Sequence, residues 1–125
     1  MIVVFGGAYQ GKTEFVKETF SVTNKDIFVC GEDISIEEDV KVIAHLERFI
    51  YACIKNKISP IKYFEENEKL FENKIIICDD ICCGVVPLGK DMRLYRDNVG
   101  KQLQIFCRNA QSVYRVFCGI GERIK

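Results

Sequence analysis

Apolar residues fall into short continuous runs at Met1-Ile2-Val3-Val4-Phe5, Ile75-Ile76-Ile77-Cys78 and Val113-Tyr114-Arg115-Val116-Phe117-Cys118. Runs of this length with little or no alternation predict strands buried on both faces, as in a parallel sheet covered on each side. Asp26-Ile27-Phe28-Val29-Cys30 predicts a further strand, ending at Gly31. Between these runs the pattern becomes helical. A helix is predicted over 11–20, and the acidic Glu37-Glu38-Asp39 after Ser35 suits a second helix start. Val40, Ile43, Ala44, Phe49, Ile50, Cys53 and Ile54 then make one apolar helical face, which fades near 56–59. Pro60 fits the first turn of another helix reaching Phe71, with Phe64 and Leu70 inward and Glu65, Glu66, Glu68 and Lys69 outward. Residues 84–89 read as a loop, and a long helix over 91–110 places Leu94, Tyr95, Val99, Leu103, Phe106 and Cys107 in the core. Gly119-Ile120-Gly121 predicts a turn into a short strand over 123–125. The order βαβααβαββ predicts an α/β fold, a mainly parallel central sheet flanked by helices in three layers. No repeat, linker or low-complexity tract interrupts the chain, so residues 1–125 read as one domain.

The first strand runs straight into Gly6-Gly7-Ala8-Tyr9-Gln10-Gly11-Lys12-Thr13, a full G-x-x-x-x-G-K-[ST] phosphate loop. A buried strand before it and a helix after it are the context this motif requires. Backbone N–H groups of such a loop and the positive end of the helix dipole favour a bound phosphate. Lys12 is expected to reach the β and γ phosphates of ATP or GTP, and the Thr13 hydroxyl to ligate Mg²⁺. The strand Lys74-Ile75-Ile76-Ile77-Cys78-Asp79-Asp80 closes on two carboxylates, a Walker-B-like ending. Asp80 is the first candidate for the metal-side or hydroxyl-orienting group and Asp79 the second; the alternative for either is a helix cap or turn residue. The expected fold is that of the P-loop NTPases.

Lys+Arg and Asp+Glu both number 18, so the chain is neutral and lacks the basic excess of a nucleic-acid binder. No stretch approaches the roughly 20 apolar residues of a membrane span, and the N-terminal run reads as a strand and not an export signal. Seven cysteines, Cys30, Cys53, Cys78, Cys82, Cys83, Cys107 and Cys118, lie mostly inside apolar runs. An odd count without an export signal predicts reduced core thiols in a cytoplasmic protein. With no C-x-x-C pair and His45 far away in sequence, a zinc site is not expected.

Three segments carry a resemblance beyond the loop. Cys78-Asp79-Asp80-Ile81-Cys82-Cys83-Gly84-Val85-Val86-Pro87, Arg93-Leu94-Tyr95-Arg96-Asp97-Asn98-Val99-Gly100-Lys101 and Val113-Tyr114-Arg115-Val116-Phe117-Cys118-Gly119-Ile120-Gly121 are the segments. With the loop, they resemble the bifunctional adenosylcobinamide kinase / adenosylcobinamide-phosphate guanylyltransferase family of cobalamin biosynthesis. That family shows G-G-A-x-S-G-K-S, a strand ending N-E-V-G-x-G-[IV]-V-P, an R-x-[FY]-R-D-x-x-G helix and a closing strand followed by G-[IL]. Gly6, Gly7, Ala8, Gly11 and Lys12 match its loop, with Gln10 and Thr13 in place of serines. Asp79 and Asp80 stand for the asparagine and glutamate, and Gly84, Val86, Pro87, Arg93, Tyr95, Arg96, Asp97 and Gly100 match directly. The resemblance covers about residues 1–30 and 74–121.

The resemblance implies ATP- or GTP-dependent phosphorylation of the aminopropanol hydroxyl of adenosylcobinamide, with Mg²⁺, in a homo-oligomer. Arg93 and Arg96, three apart on one helical face, either contact phosphate across a subunit interface or pair with Asp97 or Asp91. The middle of the chain departs: a central strand of the family's site is expected to be missing, and the guanylylated histidine's segment, R-I-x-x-H-[KR]-x-x-R, is not matched. Here Val40-Lys41-Val42-Ile43-Ala44-His45-Leu46-Glu47-Arg48 makes His45 a structural or surface histidine on an apolar-faced helix. The reading is a shortened relative that keeps the kinase elements better than the transferase elements. A catalytically weak nucleotide-binding regulator, or a P-loop kinase of another small molecule, are the alternatives.

Overall fold

Val3 and Val4 are neighbours in sequence and both wholly buried, yet they belong to different hydrophobic cores. Successive strand residues point to opposite faces, so a strand buried at every position needs cover on both sides. The computed structural model describes residues 1–81 and 89–125 and supplies that cover. Strand β1 (Ile2–Gly6) leads to helix α1 (Lys12–Phe20), then β2 (Ile27–Val29) and β3 (Val42–Ala44). Helices α2 (Leu46–Lys55), α3 (Pro60–Glu66) and α4 (Glu68–Phe71) precede β4 (Ile75–Asp79), and α5 (Lys90–Asn109) precedes β5 (Ser112–Phe117) and β6 (Ile120–Arg123). The result is an α/β architecture: one six-stranded sheet in the order β2-β3-β4-β1-β5-β6, parallel except for β6.

On one face Val16, with Phe15 and Phe20 of α1, packs against Val4, Val42, Ala44, Ile75, Ile77 and Val116. On the other, Leu46, Phe49, Ile50 and Cys53 of α2 join Phe64, Phe71, Val99 and Phe106 from α3, α4 and α5 over Val3, Ile43, Ile76 and Val113. Edge-to-face and tilted ring contacts among Phe49, Phe64, Phe71 and Phe106 lock these four helices together. The chain moves to one side of β1 through β2, β3 and β4, then α5 carries it across to β5 on the other side. The carboxyl end of β1 therefore sits at a topological switch point, where open α/β sheets build ligand crevices.

Several expectations are corrected. The helix expected to begin at 37–40 starts only at Leu46, and Val42-Ile43-Ala44 instead forms β3 between β2 and β4. All three β3 residues are buried, which a helical face and a two-sided strand demand equally. The helix expected over 60–71 breaks at Asn67, whose side chain donates to the Tyr63 carbonyl at 2.8 Å. Leu94, expected in the core, is exposed, while Gln102 is buried in α5. The final turn is Cys118-Gly119, both at positive φ, which lets β6 begin at Ile120. The loop expected over 84–89 lies outside the described residues except for Gly89. No helix among the described residues is long and apolar enough to cross a membrane.

Candidate functional site

Gly6 ends β1 in register with Asp79 at the end of β4, so the glycine loop and the carboxylates meet through strand pairing. A Cβ on Gly6 would lie 2.3 Å from the Val116 carbonyl oxygen of β5, so no side chain fits there. Gly11 caps α1 with φ 84°, a left-handed conformation that suits glycine. Between them the chain turns through Gly7, Ala8 and Tyr9, all exposed, with Tyr9 at φ 59° and its ring in solvent. Gln10 is pinned from outside the loop. Its side-chain oxygen accepts from the Cys118 N–H at 2.7 Å and its carbonyl from the Gly119 N–H at 2.8 Å. The β5–β6 turn thus braces the loop, a contact across 108 positions that local sequence does not signal.

The loop's carbonyls are used internally. Gly6 accepts from Asp80 N–H at 2.8 Å, Gly7 from the Lys12 ammonium at 2.6 Å, and Gly11 from Phe15 N–H at 3.0 Å. Among the described residues, no N–H from Gly7 to Thr13 donates to a protein acceptor. Unpaired donors on a turn that feeds a helix N-terminus form an anion-binding concavity. The polarity of this arrangement suits phosphate oxygens.

Lys12 is buried, and its Nζ lies 2.7 Å from Asp79 Oδ1. An ammonium out of water needs a counter-charge, and here Asp79 provides it. Asp79 in turn donates its N–H to Glu47 Oε2 at 2.9 Å, and Glu47 Oε1 lies 2.8 Å from His45 Nδ1. Glu47 is buried in the first turn of α2, and His45 bridges β3 to α2 at φ 57° and ψ 47°. His45, Glu47 and Asp79 bring ligand-type atoms within 4.8 Å of one another. Behind them Cys78 is fully enclosed, and burial, then the charges of Glu47 and Asp79, push its thiol well up.

The expected site residues are therefore distributed as follows. Gly6 through Thr13 form the loop and first turn of α1, and Asp79 is the carboxylate that meets Lys12. Asp80 is half-buried and tied by its N–H to Gly6. Arg93 and Arg96 lie in the first two turns of α5, Arg93 exposed and Arg96 half-buried, just beyond residues 82–88. Thr13 is half-buried in the first turn of α1. Hydroxyl and carboxylate oxygens such as those of Thr13, Asp79 and Asp80 are the hard donor type that Mg²⁺ takes.

His45 does not sit on an apolar helix face: it leaves the carboxyl end of β3 beside the loop. A single helix from 37–40 to 56–59 would have hidden both His45 and Glu47; the β-branched pair Val42-Ile43 ahead of His45 is the signal for the strand. Beyond α2, a cavity of about 940 Å³ is lined by Gly31, Asp33, Arg48, Tyr51, Lys55 and Tyr95, among others. Tyr95 lies close enough to the site that, after burial, the charge of Glu47 raises its phenol. Its ring centroid lies 4.9 Å from that of Tyr51, the two rings tilted by 58°. Comparison with models of known protein families and with curated proteins gives no match for this chain.

Proposed function

We propose that the chain is a P-loop-type phosphotransferase that moves the γ-phosphoryl group of ATP or GTP onto the hydroxyl of adenosylcobinamide. One observation carries the nucleotide part: a glycine loop whose N–H groups are unpaired among the described residues surrounds a buried Lys12 held by Asp79 and a loop carbonyl. A polyphosphate offers Lys12 stronger partners than a carbonyl, and its oxygens match the free N–H groups. The acceptor part rests on the family resemblance of the sequence around Asp80, Arg93 and Arg96.

The chain's own groups divide the work. Loop N–H groups bind the β and γ phosphates, and Lys12 moves from Asp79 to the charge developing between them. The acceptor oxygen bonds to γ-phosphorus as the bond to the bridging oxygen breaks, leaving a phosphate ester and a nucleoside diphosphate. Arg93 and Arg96 meet phosphate from the start of α5. Thr13, Asp79 and Asp80 would hold Mg²⁺, which when bound neutralises phosphate charge. Guanylyl transfer is left out of the proposal because the histidine segment that supports it in the family is not matched. Free thiols at Cys30, Cys53 and Cys78 support a cytoplasmic setting. The exposed edge strand β6, with Ile120 and nearby Ile124 in solvent, supports self-association.

The test is phosphate transfer from labelled ATP and GTP to adenosylcobinamide by the wild type and by Lys12→Ala. Product from the wild type alone is the expected result. Bound nucleotide without transfer would make the chain a nucleotide-binding regulator or a kinase of another acceptor.

A further inference from the structure

The phosphate site described above needs Lys12 and Asp79 but gives no task to the His45–Glu47 pair beside it. Glu47 is a carboxylate only 4% exposed, and among the described residues Lys12 is the other buried charged side chain. Such burial is costly unless the charge is satisfied. Both oxygens are engaged, one by Asp79 N–H at 2.9 Å and one by His45 Nδ1 at 2.8 Å. The first contact ties Glu47 to the backbone of the residue that holds Lys12. An ionised carboxylate only accepts, so the second contact has Nδ1–H donating to Glu47, with Nε2 as the ring's other nitrogen. Among the described residues the His45 ring makes no other hydrogen bond, while its backbone carbonyl accepts from Arg48 N–H at 2.9 Å.

The backbone is arranged for this side chain. His45 takes a left-handed conformation at the carboxyl end of β3, where glycine would be free of strain. That conformation turns the chain from β3 into α2 in one residue and brings His45 and Glu47 together. The cavity lined by Arg48 of α2 and Tyr95 of α5 adjoins this end of the sheet, and its size admits a bulky acceptor.

Resting on the phosphotransferase reading, we propose that His45 is the catalytic base of the transfer and that Glu47 is its positioning residue. As the acceptor oxygen bonds to γ-phosphorus, its proton passes to His45 Nε2. The imidazolium formed is stabilised by the Glu47 carboxylate through Nδ1–H, and the nucleoside diphosphate leaves with the bridging-oxygen electrons. Nothing is oxidised or reduced.

The experiment compares the wild type with His45→Asn and His45→Gly, measuring kcat for adenosylcobinamide, KM for the nucleotide and recovery by added imidazole. Asparagine and glycine both accept the left-handed backbone, so the fold is kept, which thermal unfolding checks. General-base catalysis is typically worth about 10²–10⁴-fold. The expected result is a kcat lowered in that range in both variants, with nucleotide KM within about two-fold and partial rescue of His45→Gly by imidazole. A merely structural histidine would give no imidazole rescue. An active wild type whose His45→Asn variant matches its kcat, or a glycine variant that imidazole does not rescue, overturns the base and leaves the kinase standing. A wild type that binds nucleotide but transfers nothing overturns both.

Discussion

Gly6 and Lys12 show how little freedom single residues have in this loop. Replacing Gly6 with alanine drives a methyl group into a strand carbonyl that cannot move without breaking β5. Gly6→Ala is expected to cost about 1–3 kcal/mol, read from urea unfolding, the range for overpacked sites. Glu47→Ala strands an imidazole N–H and the Asp79 N–H; about 2–3 kcal/mol of lost stability is expected, again by denaturant titration. At this scale the sequence was readable where chemistry is local. The spacing of Gly6, Gly11, Lys12 and Thr13 predicted a loop and a helix start, and both are present. Which carboxylate meets Lys12 depends on the β1–β4 register, which pairs Gly6 with Asp79.

Elements were legible where a run was long or bounded by glycine or proline. The four-residue apolar core of β4 and the N-terminal proline of α3, where the Ser59 hydroxyl caps Lys62 N–H, are examples. β3 was hidden for a physical reason. Three buried residues satisfy either period, and the turn after it uses a histidine where a glycine would have marked the boundary. The β5–β6 turn makes the same substitution, with Cys118 at φ 50° ahead of Gly119. Asparagine is preferred at that position of a two-residue hairpin. Cys118→Asn should therefore raise stability by about 0.5 kcal/mol in chemical denaturation while keeping the N–H that holds Gln10. A loss of stability there would mean that the thiol packs in a way its exposure does not suggest.

For the whole molecule, two sheet faces covered by α1 and by α2 to α5 bring together residues remote in sequence, and they bury thiols in the process. Burial pushes Cys53 up to about 11 and Cys30 up to about 12 from an ordinary 9.0. A folded-state value above the unfolded one contributes stability that is complete below pH 9.0 and is lost as pH rises through 11 to 12. Thermal unfolding followed from pH 8 to 11 should show falling stability above about 9, and Cys30→Ser or Cys53→Ser should flatten the fall. The same sheet leaves β6 as an edge, and a lysine at Ile120 should shift any assembly toward monomer in sedimentation velocity. The central claim is that the loop from Gly6 to Thr13 holds nucleotide through Lys12. Equilibrium binding of ATP and GTP with Mg²⁺ to the wild type and to Lys12→Ala tests it most directly. Loss of one charge-assisted contact of about 1.5–3 kcal/mol predicts roughly 10- to 100-fold weaker binding by the variant. Equal affinity in the two proteins, or no binding by the wild type, would contradict it.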